Sequence, residues 1–561
     1  MKNYIKRKKN RHHDDHERVE KEIKQFENDK SYEDEWFNQP PTEKEIIEII
    51  EAKKNGKATT DLNNEIIKNT KEEFIKIFMP MLKLIWEKEE IPQEWNKGRI
   101  TTLWKGKGDK ECLDNHRGIT VSSTVGGIME EAIDRRMDKL VVFTQGQAGG
   151  KKGASTVDQL FLLRSLMTLA IEKKQNIFVT FYDVAKAYDH ADVHTMLNII
   201  WKAGVRGKIW RILKNMSTNL TAVVKTRYGI SRTITRENGG RQGSRLIGKL
   251  FGKQMDVLCE HFINNHIGVH ITNQLRIGCL EFVDDALSCA EGKENQLKTL
   301  EKVDDFARSN KLEWGAKKCQ VMQIGTKVKV PEEWDLGEKK IINTTSYKYL
   351  GDMITSDNKN KQNIITKENK LQQAIRQINT TASSDIMYGI ETTVILELYE
   401  TCALASFLNN CESWTLTPTE EKNMDRIGLQ AVKRLFNILN TTPSTAIIYN
   451  LGLLYTTQSI DHRRFMYFHK LLTRNEENWT RKMLHHLHDR NTGWAKSLIE
   501  KLTEYRLEPD WEKIKALTKN QWKEVVKNAI NERNKQKLIT NCTTTTPQET
   551  KVNTKSKYIY N

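Results

Sequence analysis

The stretch Leu280-Glu281-Phe282-Val283-Asp284-Asp285-Ala286-Leu287-Ser288-Cys289 places two adjacent aspartates between two apolar arms. This pattern predicts a β-hairpin with the acidic pair at its turn. Turn preference alone explains such a pair, because Asp forms local hydrogen bonds in turns. Two neighbouring carboxylates also repel each other, and a divalent cation removes that repulsion by taking both as oxygen ligands. The hairpin is therefore compatible with a metal site.

A third aspartate ends the apolar run Ile177-Phe-Val-Thr-Phe-Tyr-Asp183, just before a helical pattern begins. The run predicts a strand that delivers Asp183 to the rim of a sheet, where a carboxylate can meet a ligand. A helix cap explains Asp183 equally well on its own. Together with Asp284 and Asp285 it would form an all-oxygen site for two Mg²⁺ ions roughly 3.5 to 4 Å apart, which is the arrangement used for in-line phosphoryl transfer.

The composition indicates a folded protein with an anionic partner. The 561 residues contain 90 Lys plus Arg and 73 Asp plus Glu, and the formal charge of +17 favours binding to nucleic acid or to an anionic membrane surface. Hydrophobic residues make up 38%, enough for several packed layers, and the length predicts roughly three or four structural units. No apolar run is long enough to span a bilayer. The eight cysteines include no CxxC pair and are interpreted as ordinary buried thiols.

Apolar periodicity divides the chain into three parts. Residues 1–41 are highly charged, which favours a solvated tail, and residues 42–52 show helical spacing. Between about 95 and 330, apolar runs alternate with helical patterns, including one from His194 to Leu213, and this alternation predicts a mixed sheet with packed helices. After about 357 the pattern is helical, and the very end of the Thr-rich stretch at 540–561 is expected to be disordered. One amphipathic face in this last part consists of Met424, Ile427, Val432, Leu435, Phe436 and Leu439.

Five ordered motifs resemble the reverse transcriptase domain of non-LTR (LINE-type) retrotransposons. They are FYDVAKAYD (181–189), GGRQGS (239–244), FVDD (282–285), WGAKKCQVMQIG (314–325) and YKYLGD (347–352). The resemblance extends over roughly residues 42–475. Further segments that carry it are Asn55–Ala58, Pro92–Trp95, Lys105–Asp109, Asn115–Thr120, Gln147–Thr156, Cys411–Thr415 and Val432–Leu435.

The resemblance implies an RNA-directed DNA polymerase whose metal-binding carboxylates are Asp183, Asp284 and Asp285. It implies that Tyr188 is the aromatic steric gate that rejects a 2′-hydroxyl, although an isolated Tyr is more often a core aromatic. It also implies that Gln242 and Gly243 line the deoxynucleotide pocket. Arg117 would contact the triphosphate, for which a guanidinium fork is well suited.

The implied architecture is an α+β right-hand polymerase followed by a helical region. We expect a charged tail at 1–41, fingers at 42–175, a palm at 176–356, a helical thumb or connector at 357–480, and a basic helical region with a disordered tail at 481–561. The implied cofactor is Mg²⁺ or Mn²⁺, as two ions. The implied partners are an RNA template, a DNA primer or target, and dNTPs, with no membrane; we expect an intracellular location.

The sequence departs from the family pattern in three places. Residues Ser244–Phe251 read SRLIGKLF where the family has a Cys-Pro-Leu-Ser-Pro-like stretch, which puts the helix behind the nucleotide pocket in doubt. We expect no endonuclease domain ahead of the polymerase, because only about 40 residues precede the resemblance. We also expect no zinc knuckle behind it, since Cys542 stands alone there. The His clusters at 12–16 and 485–488 are interpreted as solvated.

Two other functions remain open at this stage. A decayed retroelement protein that only binds nucleic acid would suit the altered 244–250 stretch, but it has no physical need for three mutually repelling aspartates. A maturase-type reverse transcriptase shares the palm and differs in what its C-terminal helices bind.

Overall fold

The computed structural model describes most of the chain. The described residues are 17–106, 108–112, 115–185, 187, 191–226, 229–235, 239–241, 243–382 and 391–545. Tyr188, Gln242 and residues 546–561 of the expected C-terminal tail lie outside them. In this part of the chain, no helix combines the length and apolar character needed to cross a bilayer.

A six-stranded mixed sheet forms the centre of the fold. Its spatial order is β12-β13-β11-β3-β10-β9, and β3 pairs antiparallel with both β10 and β11, whereas β11 and β13 are parallel. The sheet therefore carries the two segments that the sequence singled out on neighbouring strands. The strands are β3 (Ile177–Tyr182), β9 (Cys279–Phe282), β10 (Asp285–Glu291), β11 (Gln320–Ile324), β12 (Glu333–Leu336) and β13 (Lys339–Thr344).

The central strand β3 is buried on both faces. Phe178 and Tyr182 join the hydrophobic core on one side of the sheet, and Val179 and Phe181 join a second core on the other side. This alternation follows from the period of two along a strand. Because all six residues of β3 are buried, the strand reads as a continuous apolar run.

A second sheet combines strands that lie before and after β3 in the chain. It pairs β1 (Lys97–Trp104) antiparallel with β2 (His116–Val121) and parallel with β4 (Thr221–Thr226). The short strands β5 (Gly229–Ile230) and β6 (Ile234–Thr235) complete it. Two small hairpins also occur: β7 (Val269–Thr272) with β8 (Leu275–Ile277), and β14 (Ser346–Tyr349) with β15 (Asp352–Thr355).

In the described residues up to 309, ten helices surround these sheets. The second of them, α2 (Glu43–Ala52), begins with a capping box in which Thr42 and Glu45 satisfy each other's backbone N–H groups, and its Ile46, Ile49 and Ile50 are buried. The helices are α1 (17–28), α2 (Glu43–Ala52), α3 (Asn64–Asn69), α4 (Lys71–Lys88), α5 (Thr124–Leu140), α6 (Thr156–Glu172), α7 (Val193–Lys202), α8 (Lys208–Ser217), α9 (Arg245–Asn264) and α10 (Gly292–Ser309).

Three local features differ from expectation. The helical pattern from His194 to Leu213 is interrupted, because Gly204 and Gly207 adopt positive φ and separate α7 from α8. The doubtful stretch after Ser244 does form a helix, α9, which is 20 residues long. The charged N-terminal segment is packed from residue 17 onward, and the ring of Phe26 stacks on Trp201 at 4.3 Å. Apolar residues at helical spacing anchor this segment despite its high charge.

After β15 the described chain is helical, as predicted. The amphipathic face in α14 is confirmed for Met424, Ile427, Val432 and Leu435, but the helix ends there and Leu439 is 74% exposed. The predicted α+β class with a mixed sheet and a helical C-terminal region is therefore confirmed. The helices are α11 (Lys361–Ala382), α12 (Thr392–Leu398), α13 (Ala405–Phe407), α14 (Pro418–Leu435), α15 (Ser444–Leu451), α16 (Thr456–Leu472), α17 (Trp479–Asp489), α18 (Gly493–Glu504), α19 (Trp511–Ala516) and α20 (Lys519–Thr545).

Asp352 joins the β14–β15 hairpin to the helices around it. Its fully buried carboxylate pairs with Lys367 of α11 at 2.9 Å and with Arg164 of α6 at 3.2 Å, and it accepts a hydrogen bond from Trp414 Nε1 at 2.7 Å. Asn363 and Asn410 donate two further hydrogen bonds. Burial alone would raise the pKa of Asp352, but Arg164 and Lys367 outweigh it and hold the pKa below its ordinary value.

We predict that Asp352→Ala lowers the free energy of unfolding by about 3–5 kcal/mol, because Lys367, which is 0% exposed, would remain buried without its partner. Urea denaturation followed by far-UV circular dichroism measures the change. Asp357→Ala serves as the control, since that side chain is 55% exposed and its ion pair is long, at 3.8 Å. Equal urea midpoints for the two variants would contradict a structural role for Asp352.

Candidate active site

Asp183 stands directly after β3, at the end of the sheet where β10 begins. The pairing of Tyr182 with Ala286 places Asp183 next to Asp285 across the two strands. The backbone carbonyl of Asp183 accepts the N–H of Gly315 at 2.8 Å, and a Cβ on Gly315 would lie 2.8 Å from Asp183 Oδ2. The glycine that follows Trp314 is therefore needed for this close approach.

Asp284 and Asp285 occupy the tip of the β9–β10 hairpin, as the sequence predicted. Phe282 pairs with Asp285, so the turn has two central residues, Val283 and Asp284. Val283 has a φ of 60°, the sign that a type II′ turn requires at its first central residue. A β-branched residue in this conformation costs on the order of 1–3 kcal/mol and persists only where its surroundings hold it.

Gln147 holds this strained turn. Its side-chain oxygen accepts the backbone N–H of Val283 at 3.0 Å and that of Gly149 at 2.8 Å. The backbone of Ala148 and Gly146 also pairs with Glu281 of β9, at 2.9 and 2.8 Å. A Cβ on Gly149 would lie 2.4 Å from the Val283 nitrogen, so only glycine fits there. The segment 146–149 thus clamps the hairpin from outside the sheet.

The three carboxylates influence one another electrostatically. Burial raises the pKa of Asp285 to about 6, and the neighbouring charges of Asp284 and Asp183 add to the rise. Burial also raises the pKa of Asp284, and Asp183 contributes, whereas Arg117 and Lys318 act in the opposite direction. The sheet therefore does bring together the three aspartates that the sequence selected, in a site where a cation stabilises their charged forms.

Lys318 is a member of the site that the sequence analysis did not single out. Its ammonium nitrogen lies 2.9 and 3.0 Å from the two carboxylate oxygens of Asp183. It stands in the quoted motif at 314–325, but an exposed lysine in a loop carries no periodic signal. One ammonium ion neutralises only part of the charge of three carboxylates.

The carboxylates fit hard divalent cations as ligands, because Mg²⁺ and Mn²⁺ prefer carboxylate oxygens. In the described part of the chain, the three carboxylates do not form a group whose oxygens all lie within 4.8 Å of one another. Asp183 instead turns both oxygens to Lys318. Joint metal binding would therefore require the Asp183 side chain to exchange this ammonium for a metal ion.

The remaining candidate residues are placed in part. Arg117 is exposed on β2 and lies close enough to lower the pKa of Asp284, so its guanidinium faces the same space. Gly243 forms an exposed turn with a φ of 117° beside the backbone of Thr120. A Cβ on Gly240 would lie 2.2 Å from the Ile247 side chain, so this glycine is needed for packing against α9. Tyr188 and Gln242 lie outside the described residues.

Cationic side chains flank the hairpin. A cavity of about 370 Å³ opens beside Val283, and Lys151, Lys152 and Arg245 are among the residues that line it. Burial lowers the pKa of Lys151, while the carboxylate of Asp256 acts in the opposite direction. Such a cluster beside a carboxylate site can attract the phosphates of a polyanion.

Comparison with known proteins shows what this part of the chain is similar to. Residues 105–354 match the family described as "Reverse transcriptase (RNA-dependent DNA polymerase)". The chain is 23% identical over 327 residues to the "Retrovirus-related Pol polyprotein from type-1 retrotransposable element R2" of Nasonia vitripennis. This alignment covers 55% of the present chain and 31% of that protein. It is 22% identical over 216 residues to the "Probable RNA-directed DNA polymerase from transposon BS" of Drosophila melanogaster. This alignment covers 36% of the present chain and 23% of that protein.

The chain thus spans about a third or less of the length of these curated relatives. Among solved structures, it aligns with telomerase from Candida albicans at 9% identity and a TM-score of 0.34, over 71% of each chain. A likeness at this level assigns no ligand to the present chain. The family match and the two relatives confirm the resemblance to non-LTR retrotransposon polymerases that the ordered motifs indicated.

We predict that the Asp285 carboxyl of metal-free protein titrates near pH 6, above its ordinary value of 3.8, because burial and its acidic neighbours favour the protonated form. Carbon-13 NMR of aspartate-labelled protein measures this titration, and Asp285→Asn assigns the signal. Lys318→Gln should raise the pKa further, since Lys318 stabilises the carboxylate. A titration near pH 4 in both proteins would contradict the electrostatic coupling.

Proposed function

We propose that this chain, which carries a reverse transcriptase domain over residues 105–354, is an RNA-directed DNA polymerase of a non-LTR retrotransposon that extends a DNA primer on an RNA template. The observation that carries the proposal is the convergence of Asp183 with the Asp284–Asp285 hairpin tip at one end of the central sheet. Three carboxylates at one place have a clear chemical use when they bind divalent metal ions for nucleotidyl transfer.

The roles of the residues follow from their positions. Asp183, Asp284 and Asp285 would hold two Mg²⁺ or Mn²⁺ ions, which supply activation of the primer 3′-hydroxyl and neutralisation of charge on the triphosphate. Lys318 orients the Asp183 carboxylate before the substrates arrive. Arg117, at the edge of the same space, is suited to bind triphosphate oxygens through its guanidinium fork. In this assignment no protein side chain acts as the nucleophile.

The deoxynucleotide pocket in this proposal consists of Arg117, Tyr188, Gln242 and Gly243. Arg117 is supported by its position beside the carboxylates, and Gly243 is supported by its position beside Thr120 of β2. The support for Tyr188 and Gln242 is their place in the ordered motifs. Tyr188 follows Asp183 by five residues in the same motif, FYDVAKAYD.

The nucleic acid partners are proposed from charge. The formal charge of +17 suits an RNA template and a DNA primer, and Lys151, Lys152 and Arg245 stand beside the hairpin where a primer end would lie. We assign residues 42–175 to fingers, 176–356 to the palm, 357–480 to a thumb or connector, and 481–561 to a basic C-terminal region. The primary test is primer extension on a poly-A template with Mg²⁺ or Mn²⁺. Absence of dNTP incorporation would favour a protein that only binds nucleic acid.

We predict that Asp284→Asn abolishes DNA synthesis and leaves RNA affinity unchanged, since one metal ligand is lost while the cationic surface is intact. Primer extension and filter binding at a fixed salt concentration measure the two effects. Asp335→Asn is the matched control, because Asp335 is an exposed aspartate on β12, far from the hairpin in the sheet order. Equal loss of synthesis and of RNA binding would argue against a catalytic role for Asp284.

We predict that Tyr188→Ala allows ribonucleotides to be incorporated, because the aromatic ring would no longer exclude a 2′-hydroxyl. Single-nucleotide extension with dTTP and UTP measures the selectivity as a ratio of kcat/KM values. Tyr188→Phe keeps the ring and should retain discrimination. Unchanged rejection of UTP by the Ala variant would remove Tyr188 from the steric-gate role.

A further inference from the structure

A buried cluster of two thiols and a carboxylate lies behind the catalytic hairpin. Cys259 of α9 and both Cys279 and Glu281 of β9 are at most 1% exposed. One ligand atom from each residue lies within 4.8 Å of the other two. The proposed polymerase mechanism uses none of these groups.

From this geometry we infer that Cys259, Cys279 and Glu281 form a binding site for a thiophilic divalent cation, with Zn²⁺ as the expected ion. Typical zinc bonds of about 2.3 Å to sulfur and 2.0–2.2 Å to carboxylate oxygen place the ligand atoms of a tetrahedral site about 3.5–3.8 Å apart. Cys279 Sγ and Glu281 Oε1 are 3.4 Å apart, close to this requirement. The fourth position is left to a water molecule.

The surroundings of Glu281 favour a cation. In the described part of the chain, the hydrogen-bond partners of its carboxylate, which is 0% exposed, are the Gln147 amide and the neighbouring thiols, and none is a Lys, Arg or His. An ionised carboxylate in such a place is costly unless it is paired or bound to a metal. Burial accordingly raises the pKa of Glu281 well above its ordinary value, and it raises the pKa of the Cys259 thiol for the same reason. Metal binding would displace these protons and would strengthen as the pH rises.

A neighbouring amide orients the carboxylate as metal sites require. Gln147 Nε2 donates to Glu281 Oε2 at 3.0 Å, which leaves Oε1 directed to the Cys279 thiol. The backbone also makes room for the sulfur atoms, because a Cβ on Gly146 would lie 2.7 Å from Cys259 Sγ. The same Gln147 accepts the N–H of Val283, so the site is linked by two hydrogen bonds to the turn that carries Asp284.

The two metal sites would differ in chemistry. Two thiolates and one carboxylate select a soft or borderline ion such as Zn²⁺, whereas three aspartates select a hard ion such as Mg²⁺. The sites can therefore be filled independently although Glu281 and Asp284 are three residues apart. The inference stands even if the chain proves inactive as a polymerase, because it concerns only residues behind the hairpin.

Cobalt substitution tests the site directly. Metal-free full-length protein is titrated with Co²⁺ in buffer that contains excess Mg²⁺, and one equivalent should produce the absorption of thiolate-to-cobalt charge transfer. Zn²⁺ should abolish the absorption, and further Mg²⁺ should not. X-ray absorption at the zinc edge should then show two sulfur neighbours at about 2.3 Å. Absence of the thiolate band, or a zinc shell without sulfur, would overturn the inference.

Variants assign the ligands. Cys259→Ser and Cys279→Ser should each remove the cobalt band. Cys289 is a buried thiol on β10 outside the cluster, so Cys289→Ser should retain the band. Gln147→Leu should weaken cobalt binding by about 10- to 100-fold through loss of the orienting hydrogen bond. Asp284→Asn should retain the band while it loses DNA synthesis. Persistence of the band in a folded double variant of Cys259 and Cys279 would place the metal elsewhere.

Discussion

Mutual repulsion among three carboxylates at the end of the central sheet is the constraint on which the rest of the site depends. The buried strand and the clamped hairpin hold these charges together, and among the described residues the ammonium group of Lys318 forms an ion pair with Asp183. The rigid elements are β3, which is buried on both faces, and a hairpin whose strained Val283 is clamped by Gln147. Apolar burial of β3 and the hydrogen bonds of Gln147, which lie away from the carboxylates, thus maintain an arrangement of charges that is unfavourable by itself.

The sequence predicted the parts of the site that local patterns determine. A continuous apolar run marked β3, and two apolar arms marked the hairpin with Asp284 at its tip. The helical spacing of apolar residues over 42–52 likewise marked α2. These features depend on residues close together in the chain, so their physical cause is visible in one dimension.

What the sequence did not predict depends on contacts between distant segments. Composition favoured a solvated tail at 1–41, because high charge concealed the few apolar residues, such as Phe26, that pack on the body. Lys318 gave no pattern, since its role arises only when its loop folds back on β3. The glycines that divide α7 from α8 interrupt a periodicity that otherwise continues. The grouping of Cys259 with Cys279 required a helix and a strand to meet, and the cysteine spacing alone suggested only ordinary thiols.

The buried Asp352 network bears on where the folded unit ends. The family match stops at residue 354, yet the partners of Asp352 include Lys367 and Trp414, and the core on one side of the central sheet contains apolar side chains from as far as Ile530. A fragment that ended at the family boundary would expose one face of its central sheet to solvent. Asp352 would also lose Lys367, one of its two cationic partners. The autonomous folding unit is therefore longer than the stretch that matches the family, and the central sheet and the C-terminal helices should unfold together.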